Sequence, residues 1–346
     1  MVNNSSVNIT QLYTRCPSKV VTLSLTVLVF VTGIIGNVAV VSFIQHQSRS
    51  YKNSCNLTFL YNMSVNNILA LCTSLIFHAG LFELDAWDTL PVIFANILCA
   101  LKPISEYIYL KVGLLTLAAI CIDRYEIFVR MTKSKLLTKE KAKKLVIATW
   151  IIAIITTITA CYGYIQNALQ PQAYCEQSPQ YVHGLTTKHS QISEKWIIAD
   201  ITIWITVCNA VNIFSLSCVG RELTKHMEGV KNTLGSRKAL HEVKMVKMAA
   251  YVFLAYVVFW LPYGIVTLFI ISSESPASSV KCYYSIAKTM SSGIFAVIAF
   301  IYIGTNKRVL RETIKLLRVP IRRLSSLSAV KLVDFRPNRK TVGQEH

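Results

Sequence analysis

The chain has 346 residues, of which 53% are hydrophobic and only 15% are charged, and its formal net charge is +19. Such a composition is too apolar for an ordinary soluble protein. The excess of basic residues would also fit a nucleic-acid-binding protein. Because these residues are concentrated in a few polar segments, however, we expect them to contact an anionic membrane surface, and we expect no nucleic-acid partner.

Seven mainly apolar stretches follow one another along the chain. They cover residues 20–44, 57–81, 96–128, 143–164, 196–220, 245–272 and 283–304. A bilayer core about 30 Å thick requires about 20 such residues per helix, and a helix satisfies its own backbone hydrogen bonds in lipid. We therefore predict an all-α integral membrane protein with a seven-helix bundle over residues 20–304, preceded by an N-terminal segment over residues 1–19.

Lysine and arginine are concentrated in the segments 130–144 and 221–247 and in the tail from residue 307 onward. The positive-inside rule places these segments in the cytoplasm. We therefore expect a multi-pass plasma-membrane protein with an extracellular N-terminus and a cytoplasmic C-terminus. The glycosylation sequons at Asn3, Asn4 and Asn8 would then face outside, whereas those at Asn56 and Asn62 fall at or within the second stretch and should stay unmodified.

Ten cysteines are spread along the chain without the spacing of a metal site, so we expect no metal and no cofactor. Six of them fall in or at the ends of the apolar stretches, where cysteine acts as a small apolar side chain. The other four are predicted to lie outside, where disulfides persist; they are Cys16, Cys99, Cys175 and Cys282.

Several of the apolar stretches contain a short motif. The first contains Gly36-Asn37, the third ends in Asp123-Arg124-Tyr125, the fourth contains Trp150, and the sixth contains Phe259-Trp260-Leu261-Pro262-Tyr263. Over residues 20–318 this pattern resembles the rhodopsin-like (class A) G-protein-coupled receptors. The resemblance implies that the chain is a receptor and not an enzyme. Such a receptor binds an extracellular ligand and in response activates a heterotrimeric G protein.

The resemblance also implies a role for individual residues. Arg124 would pair with Asp123 and with Glu242 in the inactive receptor, and Tyr125 and Tyr302 would belong to the same G-protein switch. Trp260 would lie beneath the ligand, in a sixth helix that Pro262 allows to bend. A disulfide would join Cys99 to Cys175, and a second one would join Cys16 to Cys282.

The chain departs from this family at two intramembrane positions. Asn67 replaces the aspartate that binds sodium in relatives, so sodium binding should be weak or absent. Ile298-Ala299, ahead of Tyr302, replaces the family's Asn-Pro. We therefore expect that the polar relay between ligand and cytoplasm is largely rebuilt with apolar side chains.

Ionisable residues inside the stretches are candidate ligand contacts, because burying a charge in a membrane is costly. Glu106 lies where amine receptors carry a ligand-binding aspartate, Lys102 lies one turn away, and Lys288 could face Glu106 across the cavity. The candidate cavity comprises Lys102, Glu106, Tyr107, Lys111, Asp200, Trp260 and Lys288. A purely structural network of ion pairs explains these charges equally well. The ligand is left open as a small molecule, a lipid or a peptide.

Residues 305–318 alternate basic and apolar side chains and predict a short amphipathic eighth helix lying on membrane lipid. The tail over residues 319–346 contains Arg322-Arg323-Leu324-Ser325, which fits a phosphorylation site at Ser325 for a kinase that prefers basic sequences.

Two alternatives to a signalling receptor stay open. The lost aspartate and Asn-Pro also fit a weakly signalling or non-signalling protein that acts as a scavenger or heteromer partner. An opsin-like photoreceptor is a lesser alternative, because Lys288 lies one turn further from Tyr302 than the retinal lysine of opsins does from its tyrosine. A transporter or enzyme finds little support, since we find no paired broken helices and no hydrolytic cluster.

Overall fold

The computed structural model describes residues 19–47, 55–77, 91–129, 138–162, 188–230, 237–272, 278–306, 309–311 and 313–314. Within these ranges the chain forms seven long α-helices, each with a segment long and apolar enough to cross a membrane. They are α1 (Lys19–Gln47), α2 (Cys55–Ser74), α3 (Val92–Phe128), α4 (Lys139–Ala160), α5 (Lys188–Val230), α6 (Arg237–Ser272) and α7 (Ser278–Thr305). Residues 309–311 and 313–314 are also helical and belong to a short eighth helix. The predicted fold class is confirmed.

Two helices extend well beyond the apolar stretches that predict them. Helix α5 begins about two turns before residue 196 and ends nearly three turns after residue 220, and α6 begins about two turns before residue 245. Hydrophobicity measures the part of a helix that lies in lipid, whereas backbone hydrogen bonding continues into the polar flanks. For α5 and α6 the sequence pattern therefore finds the membrane-spanning core and underestimates the length of the helix.

The outer surface of the bundle is apolar. On α4, Ile147, Ile151 and Ile155 recur every four residues and are each more than half exposed. Residues four apart lie on one helix face, so the three form a continuous apolar row. In water such a row would be a large unfavourable patch, but lipid tails solvate it.

The core lies around α3, which packs against α2, α4, α5 and α6. The largest cluster of buried apolar residues combines Leu114, Leu117 and Ile120 of α3 with Phe59 and Met63 of α2. Val252 and Tyr256 of α6 and Ile294 and Phe295 of α7 belong to the same cluster. Helix α3 therefore contacts four other helices at the centre of the bundle, and it is suited to relate changes in one helix to another.

Helix α1 packs tightly on α7 through two glycines. A Cβ atom added at Gly33 would lie 2.6 Å from Leu71 Cδ1 and 3.0 Å from Ala296 Cβ, and one added at Gly36 would lie 3.0 Å from Ala299 Cβ. Small residues let two helix backbones approach closely in a membrane. Position 299 is alanine rather than proline, and α7 is continuous and packs closely against α1 at this position.

Candidate functional site

One group of charged residues lies between α3, α6 and α7. Lys288 of α7 forms an ion pair with Glu106 of α3, and its Nζ atom lies 4.8 Å from the ring centroid of Tyr263 on α6. Lys102, one turn before Glu106 on the same face of α3, is electrostatically coupled to both Glu106 and Lys288. We call Lys102, Glu106, Tyr263 and Lys288 the charge cluster. Three helices thus converge on a set with two cations and one anion.

The charge cluster is open on the side of the carboxylate. The side chain of Glu106 is 22% exposed, whereas that of Lys288 is 8% exposed. Trp260 lies next to the cluster, in edge-to-face contact with Tyr263 at a centroid distance of 5.6 Å. Lys288 and Glu106 therefore face one another across the bundle, as expected. Trp260 is connected to this ion pair through Tyr263.

A second ion pair lies on another face of α3. The ammonium of Lys111 pairs with Asp200 of α5 and donates a hydrogen bond to Thr156 Oγ1 of α4 at 3.1 Å. Lys111 and Glu106 are five residues apart, which turns their side chains about 140° from one another around the helix. The sequence grouped all these charges in one cavity; the structure divides them into two sites.

The Lys111–Asp200 pair has the character of a structural contact. Lys111 is only 2% exposed and its ammonium is held by two neighbouring helices. Beside it, mainly apolar residues, among them Tyr107, Trp204 and Ile205, pack closely enough to leave no room for a water molecule. Asp200, at 21% exposure, is the more accessible partner. The pair thus joins α3, α4 and α5.

Arg124 lies at the other end of α3, eighteen residues or about 27 Å from Glu106. It is 1% exposed, forms an ion pair with the adjacent Asp123, and donates a hydrogen bond from Nη2 to Asn56 Oδ1 at 2.6 Å. The thiol of Cys55 contacts Asp123 Oδ1 at 3.4 Å. The start of α2 therefore holds both charged residues of the motif in a buried, closed arrangement.

Sequence reasoning missed the two α2 residues at this site. From the sequence, Asn56 is interpreted only as a sequon. Cys55 is free and lies in the apolar core, as expected, and its thiol also contacts the carboxylate of Asp123. Their polarity at the very start of an apolar stretch was the available signal. The remaining cysteines of the apolar stretches are free, as expected: Cys72, Cys121, Cys161, Cys208 and Cys218.

Tyr125 and Tyr302 occupy two different environments near Arg124. The ring of Tyr125 lies 5.8 Å from that of Phe214 on α5. Tyr302 is buried in a cluster with Met245 and Met248 of α6 and Val40 of α1. Tyr125 thus connects α3 to α5, and Tyr302 connects α7 to α1 and α6. An outward movement of α6 would break the contacts of Tyr302 with Met245 and Met248.

A chain of amides joins α1, α2 and α7 midway along the bundle. Asn67 Nδ2 donates to Asn37 Oδ1 at 3.1 Å, and Asn37 Nδ2 donates to the Phe295 carbonyl at 2.9 Å. Ile298 and Ala299 are buried and apolar, as the missing Asn-Pro predicts. The apolar replacement is incomplete, however, because this amide chain still provides a polar connection between three helices.

Trp150 has a hydrogen-bonding role in the same region. Its Nε1 donates to Asn62 Oδ1 at 2.8 Å, and Asn62 Nδ2 donates to Thr116 Oγ1, also at 2.8 Å. Asn62 is therefore buried and bonded on both sides, which agrees with the expectation that its sequon stays unmodified.

Several predicted features fall outside the described residues. These are the sequons at Asn3, Asn4 and Asn8, the phosphorylation site at Ser325, the cysteines Cys16 and Cys175, and the side chains of Cys99, Glu242 and Cys282. The two disulfides and the pairing of Arg124 with Glu242 therefore remain predictions.

Comparison with known proteins gives the family. Residues 36–303 match the family model of the 7 transmembrane receptor (rhodopsin family). The chain belongs to the rhodopsin family of seven-transmembrane receptors. It is 26% identical over 270 residues to a RYamide receptor of Tribolium castaneum, covering 75% of this chain and 70% of that receptor. It is 23% identical over 319 residues to the human galanin receptor type 1, covering 90% and 85% of the two chains.

A light receptor is also among the similar proteins. The GQ-coupled rhodopsin of Mizuhopecten yessoensis is 23% identical over 252 residues, which cover 68% of this chain and 47% of that rhodopsin. The similarities are thus spread over receptors with different names, and they establish the family without a subfamily. The protein is a seven-span membrane receptor of the G-protein-coupled class.

The amide chain leads to a prediction about sodium. Asn67 and Asn37 are neutral, so the amide chain itself provides no carboxylate to balance a sodium ion at the centre of the bundle. We expect the melting temperature of purified receptor to be the same in sodium chloride and in choline chloride at equal ionic strength.

The substitution Asn67→Asp provides the contrast for this measurement. It buries a carboxylate beside Asn37, so the variant should melt below the wild type in choline and recover part of the difference in sodium. If the wild-type receptor melts several degrees higher in sodium chloride than in choline chloride, the prediction that sodium binding is weak or absent is contradicted.

Proposed function

We propose that this receptor is a plasma-membrane protein that transmits the binding of an extracellular ligand to heterotrimeric G proteins. The single observation that carries the proposal is the closed arrangement of Arg124, which is held by Asp123 and Asn56 and buried to 1% exposure. Because Arg124 and Asp123 lie on α3 and Asn56 lies on α2, a displacement of α2 relative to α3 would open this buried contact. The N-terminus and the charge cluster lie outside in this proposal, and Arg124 lies at the cytoplasmic face.

The charge cluster is the proposed ligand contact. It lies about 27 Å from Arg124 along the same helix, it includes the partly exposed Glu106, and it adjoins Trp260 through Tyr263. Its two cations and one anion accommodate an anionic group of a small molecule, a lipid or a peptide more readily than a cationic group. Lys111 belongs instead to the structural pair with Asp200.

The alternative is a receptor of the same fold that signals weakly and acts as a scavenger or heteromer partner. The observation that favours it is the buried, apolar Ile298 and Ala299 at the position of the family's Asn-Pro, together with the close packing of α7 on Gly36. Both features would oppose rearrangement of α7 during activation.

Ligand-free recruitment of each G-protein class in cells tests the proposal. We expect a basal signal in the wild type because no sodium ion favours the closed state, and we expect Arg124→Ala to reduce that signal to the level of cells without receptor. Arg221→Ala, at an exposed position near the end of α5, is the matched control and should leave the signal unchanged. All variants are compared at equal surface expression.

The outcomes separate the two functions. Loss of the basal signal in Arg124→Ala alone would support a competent switch and identify the G-protein class. A wild type that is silent with every G-protein class would contradict basal activity and favour the weakly signalling alternative. An equal signal in wild type and Arg124→Ala would overturn the role of Arg124.

A further inference from the structure

The carboxylate of Asp200 uses only one of its two oxygens inside the bundle. Oδ2 accepts from the ammonium of Lys111, whereas Oδ1 has no hydrogen-bond partner among the residues that the structure describes. Asp200 is also the more accessible member of the pair, at 21% exposure against 2% for Lys111. A carboxylate oxygen that lacks a donor is unfavourable in a membrane, so Oδ1 requires a donor from outside the chain.

Asp200 lies on the edge of α5 that faces lipid. Trp196, one turn before it, and Ile203, one turn after it, are 67% and 60% exposed, and residues three or four apart share a helix face. On the other side of Asp200, Ile201 and Trp204 pack against the main core cluster. The carboxylate therefore lies where the surface of α5 passes from core to lipid, and its exposed part is on the membrane side.

Helix α4 provides the other wall of this region. Thr156 accepts a hydrogen bond from the same ammonium of Lys111 that Asp200 pairs with, so α4 and α5 approach one another at this level. Ile152, one turn away on the same face of α4, is 41% exposed. We call Ile152, Thr156, Asp200 and Ile203 the α4–α5 seam. It combines a carboxylate oxygen with branched apolar side chains on both helices.

Two exposed aromatic residues indicate how deep the seam lies in the membrane. The apolar span of α5 begins at Ala199, just after Trp196, and the span of α4 ends at Ala160, just before Tyr162, which is 59% exposed. Tryptophan and tyrosine favour the membrane–water interface. Asp200 is four residues, or about 6 Å along the helix, from Trp196. It is therefore just inside the apolar region, within reach of a lipid headgroup.

Charge determines which kind of headgroup the seam accepts. The ammonium of Lys111 already balances Asp200, so the pair is neutral. A cationic headgroup would add an uncompensated positive charge at this depth and an anionic headgroup a negative one, and both are costly. A neutral hydroxyl donates to Oδ1 without changing the charge, and hydrogen bonds to a carboxylate are among the strong ones.

The packing beside the pair limits the shape of the donor. The residues next to Lys111 on the core side, among them Ile201 and Trp204, leave no room for a water molecule. Oδ1 is therefore approached from the membrane, between two helices that are in contact with one another. A primary hydroxyl at the end of a slender, flexible arm fits this approach better than a hydroxyl attached directly to a rigid ring.

We propose that the α4–α5 seam is a binding site for a neutral lipid with a free primary hydroxyl, of the diacylglycerol type. Its hydroxyl donates a hydrogen bond to Asp200 Oδ1, and its acyl chains lie on Ile152 and Ile203. The site is separate from the charge cluster, because Lys111 and Glu106 are turned about 140° from one another around α3. Its occupation does not depend on signalling to a G protein.

Photolabelling of the full-length receptor tests the proposal. Purified receptor in phosphatidylcholine nanodiscs is irradiated with a trace of diacylglycerol that carries a diazirine near its hydroxyl, and the labelled peptides are identified by mass spectrometry. We expect labelling within residues 152–162 and 196–207. Unlabelled diacylglycerol should compete about tenfold better than its methyl ether, which has the same shape and no donor, because a hydrogen bond to a charged group contributes at least this factor.

A variant of the receptor tests the role of the carboxylate. Lys111→Met/Asp200→Leu removes the acceptor and leaves the site neutral, so labelling of the two segments should fall about tenfold and the two competitors should become equal. Glu222→Gln, in the exposed pair with Lys225 on the same helix, is the matched control and should be labelled like the wild type.

Four results would overturn the proposal. They are equal competition by the methyl ether on the wild type, undiminished labelling of the double variant, labelling spread evenly along exposed rows such as Ile147, Ile151 and Ile155, and stronger competition by a sterol than by diacylglycerol. The last would identify a different occupant. The comparison of diacylglycerol with its methyl ether uses only the wild type, so it decides the matter even if the double variant does not fold.

Discussion

The substitution Asp200→Ala should remove most of the receptor from the cell surface. It leaves the ammonium of Lys111 with Thr156 as its only partner among the contacts described above, at 2% exposure inside the bundle. Breaking a buried ion pair by removing one partner costs about 3–5 kcal/mol, which is a large part of the stability of a typical protein domain, about 5–15 kcal/mol. Surface labelling in cells and the melting temperature of purified receptor measure the effect.

Two further variants show whether the lost charge pair is responsible. Lys111→Met/Asp200→Leu removes both charges and should recover much of the surface expression, because replacing a buried pair by apolar residues is often neutral or stabilising. Glu140→Ala removes an acid from the exposed pair with Lys143, whose side chains are 75% and 52% exposed, and should have no effect. Wild-type expression and melting of Asp200→Ala would show that the ion pair contributes little.

The substitution Glu106→Gln should destabilise the receptor more than Lys288→Met does. In the charge cluster, Glu106 is the one anion beside Lys102 and Lys288, so its removal raises the formal charge of these three residues from +1 to +2. Removing Lys288 instead lowers it to zero. We expect Glu106→Gln to cost about 1.5–3 kcal/mol, the contribution of a hydrogen bond to a charged group, because Glu106 keeps partial access to solvent.

Melting temperatures of the purified variants show which of these two substitutions destabilises the receptor more. Adding Lys102→Met to Glu106→Gln restores the charge of +1 and should recover part of the loss. Glu222→Gln, in the surface pair with Lys225 on α5, is the control and should melt like the wild type. A larger loss in Lys288→Met than in Glu106→Gln would mean that Lys102 does not act on the same carboxylate.

The charge cluster also shows the limit of prediction for a ligand site. Intramembrane lysines and acids are visible in the sequence, and their cost in lipid shows that they need partners. Which acid pairs with which lysine depends on helix rotation and on contacts between α3, α5 and α7. The sequence grouped Lys111 with Glu106, whereas the rotation of α3 directs them to different neighbours.

By itself the sequence determined the class of this protein, the seven spans and the family motifs. Lipid imposes a strong and local constraint, since each span must be apolar and about 20 residues long, and this constraint is readable from consecutive residues. The family assignment is equally local, because Asp123-Arg124-Tyr125 and Trp260-Leu261-Pro262-Tyr263 are short contiguous segments.

Only the tertiary structure decided how these parts are connected. Asn56 beside Arg124, Thr156 beside Lys111, and Glu106 beside Lys288 each join residues that are distant along the chain. Such contacts depend on the packing angle and rotation of whole helices, which follow from the sum of many side-chain contacts rather than from any single segment. The identity of the spans is therefore a property of local composition, whereas the resting position of the switch is a property of the packed bundle.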